Sequence, residues 1–417
     1  MIKRLLKNNQ AVLEVLRKIR ALINNAVKWL NIKVLPHIPI SSKWIGGPRG
    51  ELRTFQEIEL YVEKRKEKYP NSAFWHFFQG AINLRPPLLT LGNPVKEAQL
   101  FPKLTKTDEF FLRLPNAKVY THHYCIITDD DLLVVPVSSV FSSQKHSHFA
   151  FFSFSLPQTK YLPGKTLIMN YGHNYFHAMI DALPTLYFAE LAGYKLDEID
   201  HFIFTGFSKE IYYAIFKRVG IPEHKIIVIN HVVNYECEEL LVGTVFERHG
   251  DWYKDYVVKK LGIQLTENKH HFPKRIYVSR AKAKMRKVIN EDDVAEFLKG
   301  YGFEIVYNEG LSLEQQAEMY YNAEYIISAH GANLVNILYC KPGTHLCEIR
   351  YRKHTRYYSK VYFQMANAFK MKYYLLYCDE GRLSENYEGN EIEAESDMLV
   401  NLKHLEQIIK EMGLGSK

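Results

Sequence analysis

The sequence predicts an α/β protein made of two Rossmann-like halves, preceded by a basic amphipathic helix. Three observations carry this. At 417 residues the chain exceeds one ordinary domain. From His201 onward, apolar runs of strand length alternate with helical runs. Before residue 40, apolar side chains recur at helical spacing among many cations.

Residues 2–30 read as one helix, with Ile2, Leu5, Val12, Leu16, Ile19, Ile23, Ala26 and Leu30 at three- and four-residue steps. Lys3, Arg4, Lys7, Arg17, Lys18, Arg20, Lys28 and Lys33 stand against one acid, Glu14, in residues 1–40. That segment holds +7 of the chain's +8, so the remainder is nearly neutral. Such a helix fits an anionic membrane surface through residues 1–35, or packing on a domain or second subunit as a homo-oligomer contact. The concentration of charge favours the membrane. A linker of Pro36, Pro39, Gly46, Gly47 and Pro48 follows.

Residues 51–69 read as a charged helix, and Leu84 to Pro102 as irregular, being rich in Pro, Gly and Asn. Short strands are expected from Ala117 to Val140, with a hairpin turning at Asp129-Asp130-Asp131. That triplet has the form of an Asp-x-Asp metal site, but a solvated turn between strands is the stronger reading. Next come strand His201–Thr205, helix Lys209–Val219 and strands Lys225–Ile229 and Glu239–Val242. A second half reads as strand Arg275–Ser279, helix Glu291–Tyr301, strand Glu304–Val306, helix Leu313–Asn322, strand Tyr325–Ser328, helix Asn333–Leu338 and strand His345–Ile349. This alternation implies parallel sheets with ligands at the cleft between two such domains. The expected division is residues 1–40, 41–245 and 246–417, with a terminal helix that could return to the N-terminal domain.

Composition narrows the function classes. At 47% hydrophobic and 24% charged residues, the chain has ordinary globular composition. Five scattered cysteines without a CxxC pair argue against a disulfide framework and a zinc site, and fit a reducing cytoplasm. No apolar run approaches the roughly 18 residues of a membrane span. The N-terminus lacks the continuous apolar core of a signal peptide. A near-neutral body argues against a nucleic-acid partner. Aromatic residues reach 14%, which suits carbohydrate and nucleobase contacts but is filled by cores by default.

Three constellations carry chemistry. Asn170, His173, Asn174, His177 and Asp181 crowd twelve positions between apolar flanks. His177 and Asp181, four apart, share a helix face, and an imidazole oriented by a carboxylate is a natural general base. Alone, such a pair is more often structural. A strand ending at Ser279 releases a basic loop in which Arg280 and Arg286 could fork onto a diphosphate; its bland counterpart is a solvated basic loop. An apolar strand then turns at His330-Gly331-Ala332-Asn333 into a helix reaching Asn336, an anion-binding geometry.

These residues resemble glycosyltransferase family 61. Its Asn-Tyr-x-His-x-x-x-Asp-x-Leu-Pro segment corresponds to Asn174–Pro184, and its Ile-Ser-Arg-type strand with a second arginine to Val278, Ser279, Arg280 and Arg286. A glutamate-plus-Gln-containing helix falls at Glu309–Gln315. His-Gly-Ala-x-Leu-x-Asn falls at His330–Asn336, with Glu348 on the next strand. The likeness covers roughly residues 110–350. Ala178 and Thr185 replace a frequent Trp and Arg, and Asn333 a frequent Gly; these changes bear on acceptor specificity more than on reaction class.

The resemblance implies a GT-B fold and an inverting, metal-independent transfer without cofactor. The donor would be a nucleotide sugar, a UDP-sugar being expected, and the acceptor a glycan or lipid-linked hydroxyl in surface or capsular polysaccharide synthesis. It implies His177 or Asp181 as base, with Asn170, His173 and Asn174 on the acceptor side. Ser279, Arg280, Arg286, Glu309, His330, Gly331, Ala332, Asn333, Asn336 and Glu348 would bind the donor, Glu348 at the ribose. The expected location is cytoplasmic, peripheral on the inner membrane face. The rivals are an acyltransferase, since His177-x-x-x-Asp181 also fits an HxxxD signature, and an inactive glycan- or nucleotide-binding protein.

Overall fold

The computed structural model describes residues 10–38, 47–93, 104–120, 125–138, 149–152, 159–169, 171–172, 174–229, 233–244, 251–265, 268–353, 360–382 and 396–415. The chain divides into two compact units. One holds residues 1–79, 108–212 and 220–245; the other holds 80–107, 213–219 and 246–417.

The strands in chain order are β1 (Gly50–Leu52), β2 (Ala73–Asn83), β3 (Leu89–Leu91), β4 (Leu104–Tyr120), β5 (Cys125–Ile127), β6 (Leu132–Val134), β7 (Thr159–Ile168), β8 (Tyr171–Gly172), β9 (His201–Phe204), β10 (Gly206–Phe207), β11 (Ile226–Val228) and β12 (Asn234–Gly243). Then come β13 (Arg275–Val278), β14 (Glu304–Val306), β15 (Tyr325–Ala329), β16 (His345–Tyr351), β17 (Lys372–Cys378), β18 (Glu380–Arg382) and β19 (Asp397–Leu399).

The first unit centres on a mixed sheet ordered β1-β6-β5-β4-β12-β7-β9-β11, with β2 beside β4. Its β12-β7-β9-β11 portion is parallel, whereas β4 runs antiparallel to β12. The expected strand Glu239–Val242 is therefore longer, and joins a parallel portion to an antiparallel one rather than closing a simple α/β half. The expected helix Lys209–Val219 is a single α turn, Lys209–Ile211, followed by a π turn, Tyr212–Phe216. The β5–β6 hairpin forms and turns at the triplet as expected, with Asp130 exposed, but Asp129 and Asp131 are drawn into protein contacts. Lys118 Nζ reaches Asp131 Oδ1 at 2.6 Å in a buried contact. Arg65 binds Asp129, and Tyr61 donates to Asp130 at 2.7 Å. Protein cations neutralise these carboxylates because the turn packs against the strand and helix that supply them.

The second unit centres on an all-parallel sheet ordered β14-β13-β15-β16-β17-β3, and it also holds the antiparallel pair β18-β19. Its strands are near-continuous buried apolar runs, such as Ile276-Tyr277-Val278 and Ile326-Ile327, as a sheet covered on both faces requires. β3 lies inside the run expected to be irregular. Three residues suffice there because pairing with β17, not length, stabilises them. Helices Glu291–Lys299 and Leu402–Glu411 cover one face, and Leu298, Leu405 and Ile408 join Cys347 and Ile349 in a core. The terminal helix thus packs within its own unit.

Among β13 to β17 the spatial order is second, first, third, fourth, fifth. The chain runs outward from β13 to β14, then returns across β13 to β15. In open parallel sheets ligands bind beyond the carboxyl ends at such a reversal, here the ends of β13 and β15. Within the parallel portion of the first unit, the corresponding reversal lies between β7 and β12.

Candidate functional site

β13 ends at Val278, and the next two residues, Ser279 and Arg280, stand at the reversal. Ser279 Oγ donates to Glu291 Oε1 at 2.5 Å and accepts from Ala281 N–H, so it fixes the first bend of the basic loop. Arg280 turns its guanidinium back onto that loop. Nη2 donates to Met285 O at 3.0 Å, Nε to Arg286 O at 3.3 Å, and Nη1 to Asn333 Oδ1 at 3.3 Å. Strand β19 pins the far end: Lys287 N–H donates to Asp397 Oδ1, and Met398 N–H to Lys287 O.

β15 ends at Ala329 beside this loop. Gly331 is extended, and a Cβ there would overlap the Arg280 guanidinium, so close approach rather than an unusual dihedral requires glycine. The following segment, Ala332–Tyr339, is 3-10 rather than the expected α-helix. Its first intrahelical bond runs from Leu334 N–H to Gly331 O, which leaves the N–H groups of Ala332 and Asn333 at its open end. Asn333 Nδ2 donates to Ser328 Oγ, which donates to Val278 O, so this side chain ties the two strand ends together.

Behind the turn lies a buried ionic cluster. Glu348, on β16, is fully buried. Its Oε1 meets His330 Nδ1 at 2.5 Å, and its Oε2 accepts from Tyr373 OH at 2.5 Å. Arg350, also buried, lies 3.7 Å away. Burial is the largest influence on Glu348 and pushes its pKa up, but the His330 and Tyr373 hydrogen bonds and Arg350 outweigh it and lower the pKa. Burial, with the charges of Arg350 and Arg286, pushes His330 down to about 4 against the pull of Glu348. The pair is thus a neutral imidazole donating Nδ1–H to a carboxylate, with Nε2 left as the acceptor nitrogen. Tyr362 OH donates to Gly331 O at 2.5 Å, and its ring packs edge-on against His330.

In the first unit, the chain leaves the carboxyl end of β7 and enters a helical run that begins at Tyr175. Asn174 caps it, with Oδ1 accepting from His177 N–H at 2.9 Å. His177 Nδ1 and Asp181 Oδ2 stand 2.5 Å apart, both half-buried. His177 is followed by a π turn, Ala178–Ala182, that contains Asp181 and is closed by Leu183 N–H on Ala178 O. Pro184 follows and lacks the N–H that a regular α register would use. The aspartate aims the imidazole, and fixes Nε2 as the nitrogen able to accept a proton.

Residues 175–347 match the family model described as Glycosyltransferase 61. The match over these residues supports glycosyltransferase family 61. No curated protein matches the chain. That family implies a glycosyltransferase, and the matched segment runs from the His177–Asp181 helix into β16.

The expected site residues fall into distinct groups. Ser279, Arg280, Arg286, His330, Gly331, Ala332, Asn333 and Glu348 gather at the reversal in the second unit. Glu348 offers no face to a ribose, since it is fully buried and both its oxygens are engaged; its place is to orient His330. Asn336 is fully buried and donates to Gln316 Oε1 at 2.9 Å, bracing the turn against helix Leu313–Asn322. Glu309 is exposed and precedes that helix rather than lying in it. Asn170 and His173 lie outside the described residues. Sequence reasoning missed Glu291, Arg350, Tyr362 and Tyr373. The available signal was Glu348 and Arg350, two charges inside an otherwise apolar strand.

Proposed function

We propose that this glycosyltransferase transfers a sugar, with inversion and without a metal ion, from a nucleoside-diphosphate sugar to a hydroxyl of a glycan or lipid-linked acceptor. A UDP-sugar is the donor we favour, and surface polysaccharide synthesis the setting, with the two units as the halves of a GT-B enzyme. The observation that carries this is the reversal in the second sheet. There a loop rich in cations and the open N–H groups of Ala332 and Asn333 converge, and both suit a leaving diphosphate.

In this reading His177, held by Asp181, takes the acceptor proton as the hydroxyl oxygen bonds to the anomeric carbon. The bond from that carbon to the diphosphate oxygen breaks, and the diphosphate leaves with its charge compensated by Arg286 and backbone N–H groups. No proton donor is needed, because a nucleoside diphosphate is stable as an anion. Membrane attachment through the N-terminal helix belongs to the same proposal and brings a lipid-linked acceptor within reach.

Donor turnover in EDTA is the test, paired with Arg286→Ala. Activity should survive chelation, and the variant should lose about 10²-fold or more in kcat, the scale for removing a transition-state charge stabiliser. Loss of activity in EDTA with recovery in manganese would overturn metal independence.

A further inference from the structure

Arg280 and Arg286 look equivalent in the sequence, but the structure gives them different surroundings. We propose that Arg280 is a positioning residue that sets the conformation of the 281–287 loop, and that Arg286 is the cation this loop presents to the donor diphosphate. The inference rests on the donor-site reading above.

Arg286 has φ of 59°, the left-handed region that a non-glycine residue avoids unless its surroundings impose it. The imposing group is Arg280. Its guanidinium donates to the carbonyls of Met285 and Arg286, which bracket the Arg286 backbone dihedrals. One rigid planar fork thus grips consecutive peptide units, which a lysine ammonium cannot do in the same geometry. A third donor, Nη1, anchors the fork to Asn333 across the strand ends, while Gly331 gives it room. Three donor groups facing protein oxygens make Arg280 a strut between the loop and the turn. Arg286 is half-buried, and its charge is felt at both His330 and Tyr362. A left-handed residue at the end of a pinned loop aims its side chain in one direction, which is what oriented binding of a diphosphate needs.

The two positions should therefore respond differently to conservative change. At 286 charge matters most, so Arg286→Lys should retain much of the affinity that Arg286→Ala loses. At 280 the fork matters, so Arg280→Lys should behave like Arg280→Ala. Gly331→Ala reaches the same contact from the other side: the added methyl would displace the guanidinium while the extended backbone tolerates alanine.

The experiment has two readouts on the full chain. The first is limited trypsin cleavage after Lys282, Lys284 and Lys287, which reports loop order without any ligand. It should run about tenfold faster in Arg280→Lys and Gly331→Ala than in wild type or Arg286→Ala, as expected when a local unit opens. The second is titration with UDP, GDP, ADP and CDP. Arg280→Lys and Arg286→Ala should each weaken the best binder by about tenfold or more, the scale of a lost charge-assisted hydrogen bond, and the double variant should lose little more. Multiplying losses, or an Arg280→Lys loop as resistant as wild type, would overturn the assignment. If wild type binds none of the four nucleotides, the donor-site reading falls, while trypsin still decides whether Arg280 holds the loop.

Discussion

Glu348 is charged in a place that water does not reach, so its partners matter more than its own chemistry. Removing a single partner from a buried ionic cluster leaves an uncompensated charge. Glu348→Gln leaves Arg350 and His330 without their carboxylate, and should destabilise the fold by about 3–5 kcal/mol in urea melts, the scale for breaking a buried pair. The same cluster makes stability depend on acid. A free histidine titrates near 6.5, whereas His330 is held down to about 4, so between these values the unfolded chain takes a proton that the folded chain refuses. Stability is therefore lost as pH falls through that window. His345, lowered to about 4 by burial and the Lys372 charge, adds in the same sense, and the lowered Glu348 adds further loss in stronger acid. The urea midpoint should drop between pH 7 and pH 5, and by less in His330→Asn. A midpoint independent of pH would refute neutral His330. For the other imidazole, His177→Ala and Asp181→Asn should each reduce transfer by about 10²-fold or more, within the range of general-base catalysis, and leave nucleoside-diphosphate affinity unchanged. Loss of that affinity would move the pair from the acceptor to the donor.

At the scale of elements, the second unit was easier to read than the first. A parallel strand covered on both faces appears as an unbroken apolar run, so Ile276-Tyr277-Val278 and Ile326-Ile327 stand out in the sequence. The helix Leu313–Asn322 also has a readable start, Ser312 with Gln315, and the capping box forms. β3 was not readable, because three residues in a Pro-rich stretch become a strand only through β17. The 3-10 form of Ala332–Tyr339 and the π turn at Ala178–Ala182 escaped for a related reason. Helical periodicity over five to eight residues does not distinguish hydrogen-bond offsets. The contacts around Glu348 escaped because Tyr373 and Tyr362 reach the cluster from later elements. The π turn has a local cause that can be tested. Pro184→Ala supplies an N–H that lets the segment settle into α register, moving Asp181 relative to His177. Turnover should fall while the thermal midpoint stays level or rises. Unchanged turnover would show that the π turn does not set the pair.

At the scale of the whole molecule, the uneven charge has a structural counterpart. Helix Gln10–Trp29 has Val15, Leu16, Ile19, Leu22, Ile23 and Trp29 among its exposed apolar residues, with Leu22 70% and Trp29 61% accessible. No helix among the described residues is long and apolar enough to cross a membrane. The C-terminal end of the helical segment is held, since Asn31 donates to Phe151 O and accepts from Gly47 N–H, and Leu35 is buried. A helix tethered at one end, with an open apolar stripe among cations, suits the plane of an anionic membrane, where each basic residue contributes about 1 kcal/mol. The full protein should co-sediment with vesicles in proportion to their anionic lipid content. Binding should weaken as salt rises, because screening acts over about 8 Å at physiological ionic strength, and the apolar stripe should preserve part of it. A truncation belongs before Asn31, because that side chain and Leu35 pack in the first unit. Removing residues 1–28 should abolish vesicle binding, leave transfer to a small soluble acceptor nearly unchanged, and lower transfer to a vesicle-borne one. If the intact protein ignores vesicles and the truncation converts a dimer to a monomer, the stripe is instead a contact between two copies of the chain.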